Sequence, residues 1–310
     1  MANASPLRLG TRASPLAMAQ AHLTVAALTA AHPGLAIEIV PMTATGDRIL
    51  DRALAEVGGK ALWTRELDAA LGEHVIDFAV HSMKDVETLR PHQFHLAALL
   101  PRADVRDKLI VRSDWSAASI PDLPHGARVG TSSPRRAAQL KSMRPDLQTP
   151  LLRGNVQTRL GRVADGTVDA TLLAAAGLDR LGMSDVGKTI HIIEILPAAS
   201  QGAVGIECRA DDARVRALLA VIDDAPTRRA VEVERALLAA LGGGCRSPVA
   251  AHASQDTDGR WFLRAILFAE DGSEQVFEQA ELVDDGVPAQ MAARLLAAAP
   301  PAIAKLFTGG

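Results

Sequence analysis

The sequence LRLGTRASP at residues 7–15 has a counterpart in RVGTSSP at residues 128–134. In each copy a short apolar run ends in Gly-Thr, and Ser-Pro stands where a helix would begin, because serine caps a helix N-terminus and proline favours its first position. The first copy predicts a strand, a turn at Gly10 and a helix that continues through Ala31. Two such strand–turn–helix units predict two similar α/β domains.

Further runs of apolar residues extend this pattern. They predict strands at residues 36–40, 75–80, 96–100, 107–111 and 168–174, with Pro41 closing the first of them. A helix from Ala225 with Thr227 as its N-cap, then strand-like segments and a helical C-terminus, predict a third, smaller α+β domain. We expect domain 1 at residues 1–101 and 200–222, domain 2 at 102–199, and domain 3 at 223–310.

The composition narrows the class of protein. The chain has 310 residues, of which 48% are hydrophobic and 22% charged, as in ordinary globular proteins, and its net charge of −3 argues against a general nucleic-acid binder. No apolar stretch is long enough for a membrane span, and the first residues lack a secretory signal pattern, so we expect a cytoplasmic protein. Two cysteines alone cannot form a four-thiolate zinc site, and we predict no metal.

Arginines occur at the ends of many predicted helices and strands. Six lysines leave 27 of the 33 basic residues as arginine, which binds planar carboxylates and phosphates at two points. On composition alone a genomic base bias is the preferred explanation of that ratio, so the positions of the arginines have to decide. The arginines at element ends are Arg12, Arg135, Arg136, Arg153, Arg159 and Arg180. Their distribution predicts a ligand with several carboxylates, although any one of them could be an ordinary surface residue.

A polar cluster follows the apolar run at residues 75–80, where His81-Ser82-Met83-Lys84-Asp85 comes next. Ligands of open α/β sheets bind at the carboxyl ends of the strands. Asp85 is therefore a candidate for proton transfer or for stabilising positive charge, and helix capping is an equally good explanation of it. The hydroxyls of Ser14 and Ser133 are likewise explained by capping as well as by anion binding.

The sequence LGGGCRSP at residues 241–248 presents Cys245 within a run of glycines. Glycines remove every Cβ near the thiol, so a bulky group could sit close to it. The alternative is an inert cysteine after a helix that ends at Gly242, because glycine is favoured just past a helix C-terminus. Cys208 lies inside a strand-like run, and we expect it in the core.

Six ordered blocks resemble the porphobilinogen deaminase family, also called hydroxymethylbilane synthases. They are RLGTRASPLA at 8–17, HSMKDV at 81–86, VGTSSPRR at 129–136, RGNVQTRL at 153–160, QGAVGIE at 201–207 and the segment 234–245. The resemblance runs along nearly the whole chain. It implies two α/β domains like those of periplasmic binding proteins and a small α+β domain that bears the cysteine.

The resemblance also implies an activity in haem and porphyrin biosynthesis. A dipyrromethane cofactor would be held by a thioether to Cys245, four porphobilinogen units would be added to it with loss of ammonia, and hydrolysis would release hydroxymethylbilane. Asp85 would stabilise a cationic azafulvene-like intermediate and transfer protons. The cofactor carboxylates would be bound by Ser82, Lys84, Ser133, Arg135, Arg136 and Arg159, and the incoming unit by Arg12, Ser14, Lys60, Arg153 and Arg180.

The chain departs from the family pattern at a few positions. Trp63-Thr64-Arg65 replaces the usual Phe-Val-Lys, Ser200 replaces a glycine, and Ser247 stands where an aliphatic residue or threonine is usual. Two other functions compete with the family reading. A plain binding protein would share the anion sites without needing Asp85 or a glycine-framed cysteine, and a thiol hydrolase would use Cys245 with His252 as its base. We expect a monomer that binds neither membrane nor nucleic acid.

Overall fold

The structure is a computed structural model that describes residues 5–43, 63–242 and 247–307. Internal contacts group these residues into two compact units. The first comprises residues 5–43, 63–103 and 202–229, and the second comprises residues 104–201, 230–242 and 247–307. The division into three domains stays a prediction.

The first unit is built around one mixed five-stranded sheet. Its strand order is β2-β1-β3-β9-β4, in which β1 is parallel to β2 and β3, whereas β9 is antiparallel to β3 and β4. The strands are β1 (Leu7–Arg12), β2 (Ile37–Met42), β3 (Phe78–Ser82), β4 (Phe94–Leu99) and β9 (Val204–Arg209). The helices are α1 (Pro15–Ala31), α2 (Arg65–Gly72), the 3₁₀ helix Met83–Asp85 and α6 (Ala213–Ala220).

The Ser-Pro signal places α1 as predicted, with Ser14 as its N-cap and Ala31 as its last residue. The predicted turn at Gly10 is wrong, because Gly10 lies inside β1, where a side chain would overlap Ile76. The prediction that Pro41 closes a strand is also wrong. Pro41 lies within β2, and β2 is an edge strand, where a missing N–H costs no ladder hydrogen bond.

The second unit contains a four-stranded sheet in the order β6-β7-β5-β8 and an antiparallel three-stranded sheet in the order β10-β11-β12. The strands are β5 (Asp107–Val111), β6 (Val129–Gly130), β7 (Ala170–Ala174), β8 (Lys188–Thr189), β10 (Val249–Gln255), β11 (Trp261–Phe268) and β12 (Gln275–Glu281). The helices are α3 (Pro134–Met143), α4 (Val156–Ala164), α5 (Ala175–Arg180), α8 (Val287–Ala298) and α9 (Pro301–Ala304). These elements and the first sheet confirm the α/β class.

Helix α7 spans Ala225–Leu241. The prediction of Thr227 as its N-cap is wrong, because the helix already begins at Ala225 and the Asp224 side chain accepts a hydrogen bond from Thr227 N at 2.9 Å. The prediction for the other end is confirmed, since Gly242 takes a φ of 66° just after the helix. No helix in the described ranges has the length and apolar character that a membrane crossing requires.

Candidate functional site

Two predicted site residues lie where β1 leads into α1. Arg12 is the last residue of β1, and its Cζ atom lies 4.2 Å from the centroid of the Trp63 ring. Ser14 accepts a hydrogen bond from Ala17 N at 3.4 Å, so it acts as the N-cap that the sequence also allowed. The cation–π contact holds one face of the Arg12 guanidinium against the Trp63 ring.

The polar cluster after β3 lies at the same sheet edge, because β1 and β3 are parallel neighbours. Ser82 ends β3, and Lys84 and Asp85 lie in the 3₁₀ helix, both half-buried. Ser82 Oγ is hydrogen bonded to the side-chain amide of Gln20, with 2.8 Å to Nε2 and 3.1 Å to Oε1. Gln20 is buried in α1, and sequence reasoning missed it.

The 3₁₀ helix that carries Asp85 rests on β9. Met83 N donates to Ala203 O at 3.1 Å, and the Met83 side chain is buried. It occupies the space beside Gly205, where a Cβ would overlap Met83 Sδ and lie 2.9 Å from both Met83 Cγ and Leu96 Cδ1. The absence of a side chain at Gly205 therefore sets how closely the segment with Asp85 approaches the sheet.

A buried charge network stands behind this cluster. Arg90 donates to Glu207 at 2.6 and 3.0 Å, to Asp68 at 2.5 and 3.1 Å and to Glu87 at 2.7 Å. His81 Nε2 lies 3.5 Å from Glu207. Burial opposes ionisation of Glu207, but the interactions of its carboxylate with the nearby His81 and with Arg90 outweigh burial and lower the pKa of Glu207 to about 2. The carboxylate is thus charged and ties β9 to the chain on both sides of Asp85.

In the second unit, Ser133 is the N-cap of α3 and accepts a hydrogen bond from Arg136 N at 3.4 Å. Both arginines of the Arg135-Arg136 pair are buried, with 3% and 6% of their surfaces exposed, and both donate to Asp107 at the start of β5. Sequence reasoning missed Asp107. Its only sequence signal was a pair of charged residues, Asp107 and Lys108, opening a strand that is otherwise apolar.

Arg159 is placed next to the same helix start. Its Nη2 donates to Ser132 Oγ at 3.3 Å and its Nε to Gly154 O at 3.0 Å. Arg153 is buried and lies two residues after Leu151, which forms a parallel bridge with Thr131. The structure thus brings Ser133, Arg136, Arg153 and Arg159 into one region of this unit.

Arg180 is the last residue of α5, which directly follows β7. Burial lowers the pKa of its guanidinium, and the nearby Asp179 opposes that effect. Lys108 fixes the segment after α5, because its Nζ donates to Ser184 O at 2.5 Å and lies 3.9 Å from Asp179. Arg180 therefore lies on the carboxyl-end side of β7. Helix α3 likewise follows the carboxyl end of β6, which is the parallel neighbour of β7.

Two predicted site residues, Lys60 and Cys245, lie outside the described residues. Cys208 is fully buried in β9 as predicted, and burial and the nearby Asp212 raise the pKa of its thiol to about 11. His252 is buried in β10. Ser200, where the family usually has glycine, takes a φ of 62°, a conformation that glycine adopts at little cost.

Comparison with known proteins gives these groups of residues a context. Residues 7–217 match the family model described as "Porphobilinogen deaminase, dipyromethane cofactor binding domain", and residues 228–298 match its C-terminal domain. The chain belongs to the porphobilinogen deaminase family. The family assignment made from the six sequence blocks is confirmed.

Individual relatives agree with this assignment. The chain is 66% identical over 306 residues to a porphobilinogen deaminase of Sphingopyxis alaskensis, covering 98% of this chain and 97% of the relative. It is 50% identical over 276 residues to that of Paracoccus denitrificans, covering 88% and 87%. Among solved structures, a periplasmic aliphatic sulphonate binding protein of Escherichia coli is similar over 68% of this chain and 64% of its own, with 14% identity and a TM-score of 0.38.

Proposed function

We propose that this chain is a hydroxymethylbilane-forming transferase that condenses four porphobilinogen molecules, with loss of ammonia, on a dipyrromethane cofactor attached to Cys245. The observation that carries the proposal is 66% identity to a porphobilinogen deaminase across 98% of the chain. We further propose that it acts as a cytoplasmic monomer in haem and porphyrin biosynthesis.

The described residues fit a ligand of this chemistry. Each pyrrole of such a cofactor carries two carboxylates, and the chain offers two serine-capped helix starts with arginines beside them. Helix N-termini carry unpaired N–H groups and a positive dipole end, and arginine forks match carboxylate geometry.

In this proposal Ser82, Lys84, Ser133, Arg135, Arg136 and Arg159 hold the cofactor carboxylates, and Arg12, Ser14, Arg153 and Arg180 bind the incoming substrate. Lys60 joins the second group from outside the described residues. When bound, the cofactor supplies the nucleophilic pyrrole carbon to which each new unit is joined. The arginines bind and orient carboxylates, and this orientation lowers the entropic part of the barrier.

Asp85 has the catalytic role. Its carboxylate offsets the positive charge that develops on a pyrrole nitrogen as ammonia leaves, and it can exchange a proton with that nitrogen. The 3₁₀ helix holds this carboxylate half-buried, where charge stabilisation is stronger than in bulk water. Met83 and Gly205 set its height above the sheet.

Intact-protein mass spectrometry tests the attachment. We expect the purified chain to exceed its sequence mass by two linked pyrrole units, and Cys245→Ala to lack the excess. Cys208→Ala is the matched control, because Cys208 is buried in β9 and should leave the excess in place. A wild-type chain that turns over porphobilinogen without any added mass would overturn the cofactor proposal.

A second variant tests the catalytic assignment. Asp85→Asn should keep the added mass and lose most of its turnover, by about 100-fold or more, since a positioned acid–base group contributes that much to a rate. Glu73→Gln is a control in the same unit, because Glu73 is exposed at the end of α2. Near-normal turnover of Asp85→Asn would remove Asp85 from the mechanism.

A further inference from the structure

A single buried carboxylate organises the start of α3. Asp107 has 1% of its surface exposed and accepts four hydrogen bonds. Its Oδ2 accepts from Arg135 Nη2 at 2.8 Å and Arg136 Nε at 3.1 Å, and its Oδ1 accepts from Arg136 Nη2 at 2.7 Å and Gln201 Nε2 at 2.9 Å. Every lone pair of the carboxylate is therefore occupied, which fixes both guanidinium planes.

The two adjacent arginines are used differently. Arg135 donates its remaining terminal nitrogen to Leu196 O at 2.6 Å, so both of its terminal nitrogens are bound within the protein. Arg136 donates hydrogen bonds to Asp107 from Nε and Nη2. The Nη1 atom of Arg136 has no hydrogen-bond partner in the part of the chain that the structure describes. Arg136 thus keeps one terminal nitrogen without a hydrogen bond inside the described chain, whereas each terminal nitrogen of Arg135 is held by a protein acceptor and the unpaired Arg135 Nε is fully buried.

The charges of the cluster do not balance. Two guanidinium groups share one carboxylate, and the adjacent Lys108 is occupied by Ser184 O and Asp179. A buried positive charge without a partner is costly, so the cluster is complementary to one further anion. Burial alone would raise the pKa of Asp107, but the charges of Arg136 and Arg135 lower it well below its ordinary value, so the carboxylate stays ionised.

We propose that Asp107 is a positioning residue that holds Arg136 Nη1 toward a carboxylate of the pyrrole ligand, while Arg135 braces α3 against the segment at Leu196. This inference rests on the proposed function. It divides the roles that the sequence assigned jointly to Arg135 and Arg136. It also adds Gln201, which donates to Asp107 and, at 2.6 Å, to Val105 O, as the second residue that fixes the carboxylate.

The test measures cofactor loading of chain expressed without cofactor and then incubated with limiting porphobilinogen. The added mass is followed over time, and thermal unfolding is recorded for each variant. We expect Asp107→Asn to be folded and to load at least tenfold more slowly than wild type. We expect Arg136→Lys to slow loading more than Arg135→Lys does, and Arg135→Lys to lower Tm more than Arg136→Lys does.

Asp169→Asn is the matched control. Asp169 also accepts from two arginines of the same unit, Arg128 and Arg112, but both arginines are more than a third exposed. It should load at the wild-type rate. A folded Asp107→Asn chain that loads at the wild-type rate would overturn the proposal.

If Asp107→Asn does not fold, the comparison of Arg135→Lys with Arg136→Lys tests the proposal instead. The predicted opposite ordering of loading and Tm in the two lysine variants then supports the proposal, and equal loading by both variants overturns it. Failure of wild type to gain mass would instead refute the proposed function itself, so the two failures are distinguishable.

Discussion

A methyl group added at Gly205 should disturb Asp85, although the two residues lie on different elements. In the Gly205→Ala variant the new Cβ would overlap Met83 Sδ and lie 2.9 Å from Met83 Cγ. Methionine is adaptable, but Met83 has 2% of its surface exposed, and Leu96 Cδ1 lies 2.9 Å from the Cβ position on another side. Because the Met83 side chain is enclosed, we expect the overlap to be relieved by a shift of the 3₁₀ helix away from β9 as well as by a change of the Met83 rotamer.

The Gly205→Ala variant should lose both stability and catalytic rate. Inserting a methyl group into a packed core costs about 1–3 kcal/mol, which corresponds to a fall in Tm of roughly 2–5 °C for a chain of 310 residues. A shift of about 1 Å in a catalytic group costs about 100-fold in rate. Because Asp85 follows Met83 by two residues in the same short helix, we expect kcat to fall far more than the loss of stability would explain.

The assay compares kcat, KM and Tm of Gly205→Ala with those of Gly161→Ala. Gly161 lies in α4 with open space around its Cβ position, so alanine there should raise stability by about 0.5–1 kcal/mol and leave kcat unchanged. The double variant Gly205→Ala/Met83→Ala should recover part of the lost kcat, since it removes the clashing side chain. A Gly205→Ala variant with reduced Tm and normal kcat would refute the link between Gly205 and Asp85.

Two further predictions concern stability. Because the folded pKa of Glu207 is about 2, below the ordinary 4.5, its stabilising contribution is complete above pH 4.5 and is lost as the pH falls toward 2. This shift in pKa corresponds to about 3 kcal/mol of stability. Glu207→Gln should therefore lower Tm at pH 7 and flatten the dependence of Tm on pH between 4.5 and 2. An unchanged slope of Tm against pH would contradict this prediction. Ser200→Gly should raise stability by about 1 kcal/mol, because Ser200 holds a φ of 62° and its buried Oγ has no hydrogen-bond partner within the described chain. A lower Tm for Ser200→Gly would show that the glycine costs more unfolded-state entropy than it relieves in strain.

Local signals in the sequence predicted some elements to the residue. The Ser-Pro pair defines the first turn of α1, and the apolar run at 107–111 coincides with β5. Both succeed because the deciding interactions are local: a cap hydroxyl with a nearby N–H, and a run of apolar side chains.

Elements whose bounds depend on distant partners were less predictable. The run at 75–80 predicted a strand from Val75, but β3 begins at Phe78, where Leu9 of β1 supplies its pairing partner. Similarly, Arg135 and Arg136 could be located at a helix start, but the carboxylate that binds them lies about thirty residues earlier in the chain. Periodicity carries no information about such a pairing.

The position of β9 has a consequence for how the chain is made. β9 lies between β3 and β4 in the first sheet, yet it is synthesised after all of residues 104–201. At about 5–20 residues per second, the ribosome exposes β3 and β4 with unpaired edges for several seconds before their common neighbour emerges. A nascent chain stalled before Val204 lacks both Gly205 and Glu207. The 3₁₀ helix with Asp85 then cannot pack against β9, and the ion pair between Arg90 and Glu207 cannot form. Completion of the first sheet therefore waits until residues 104–201 have been translated.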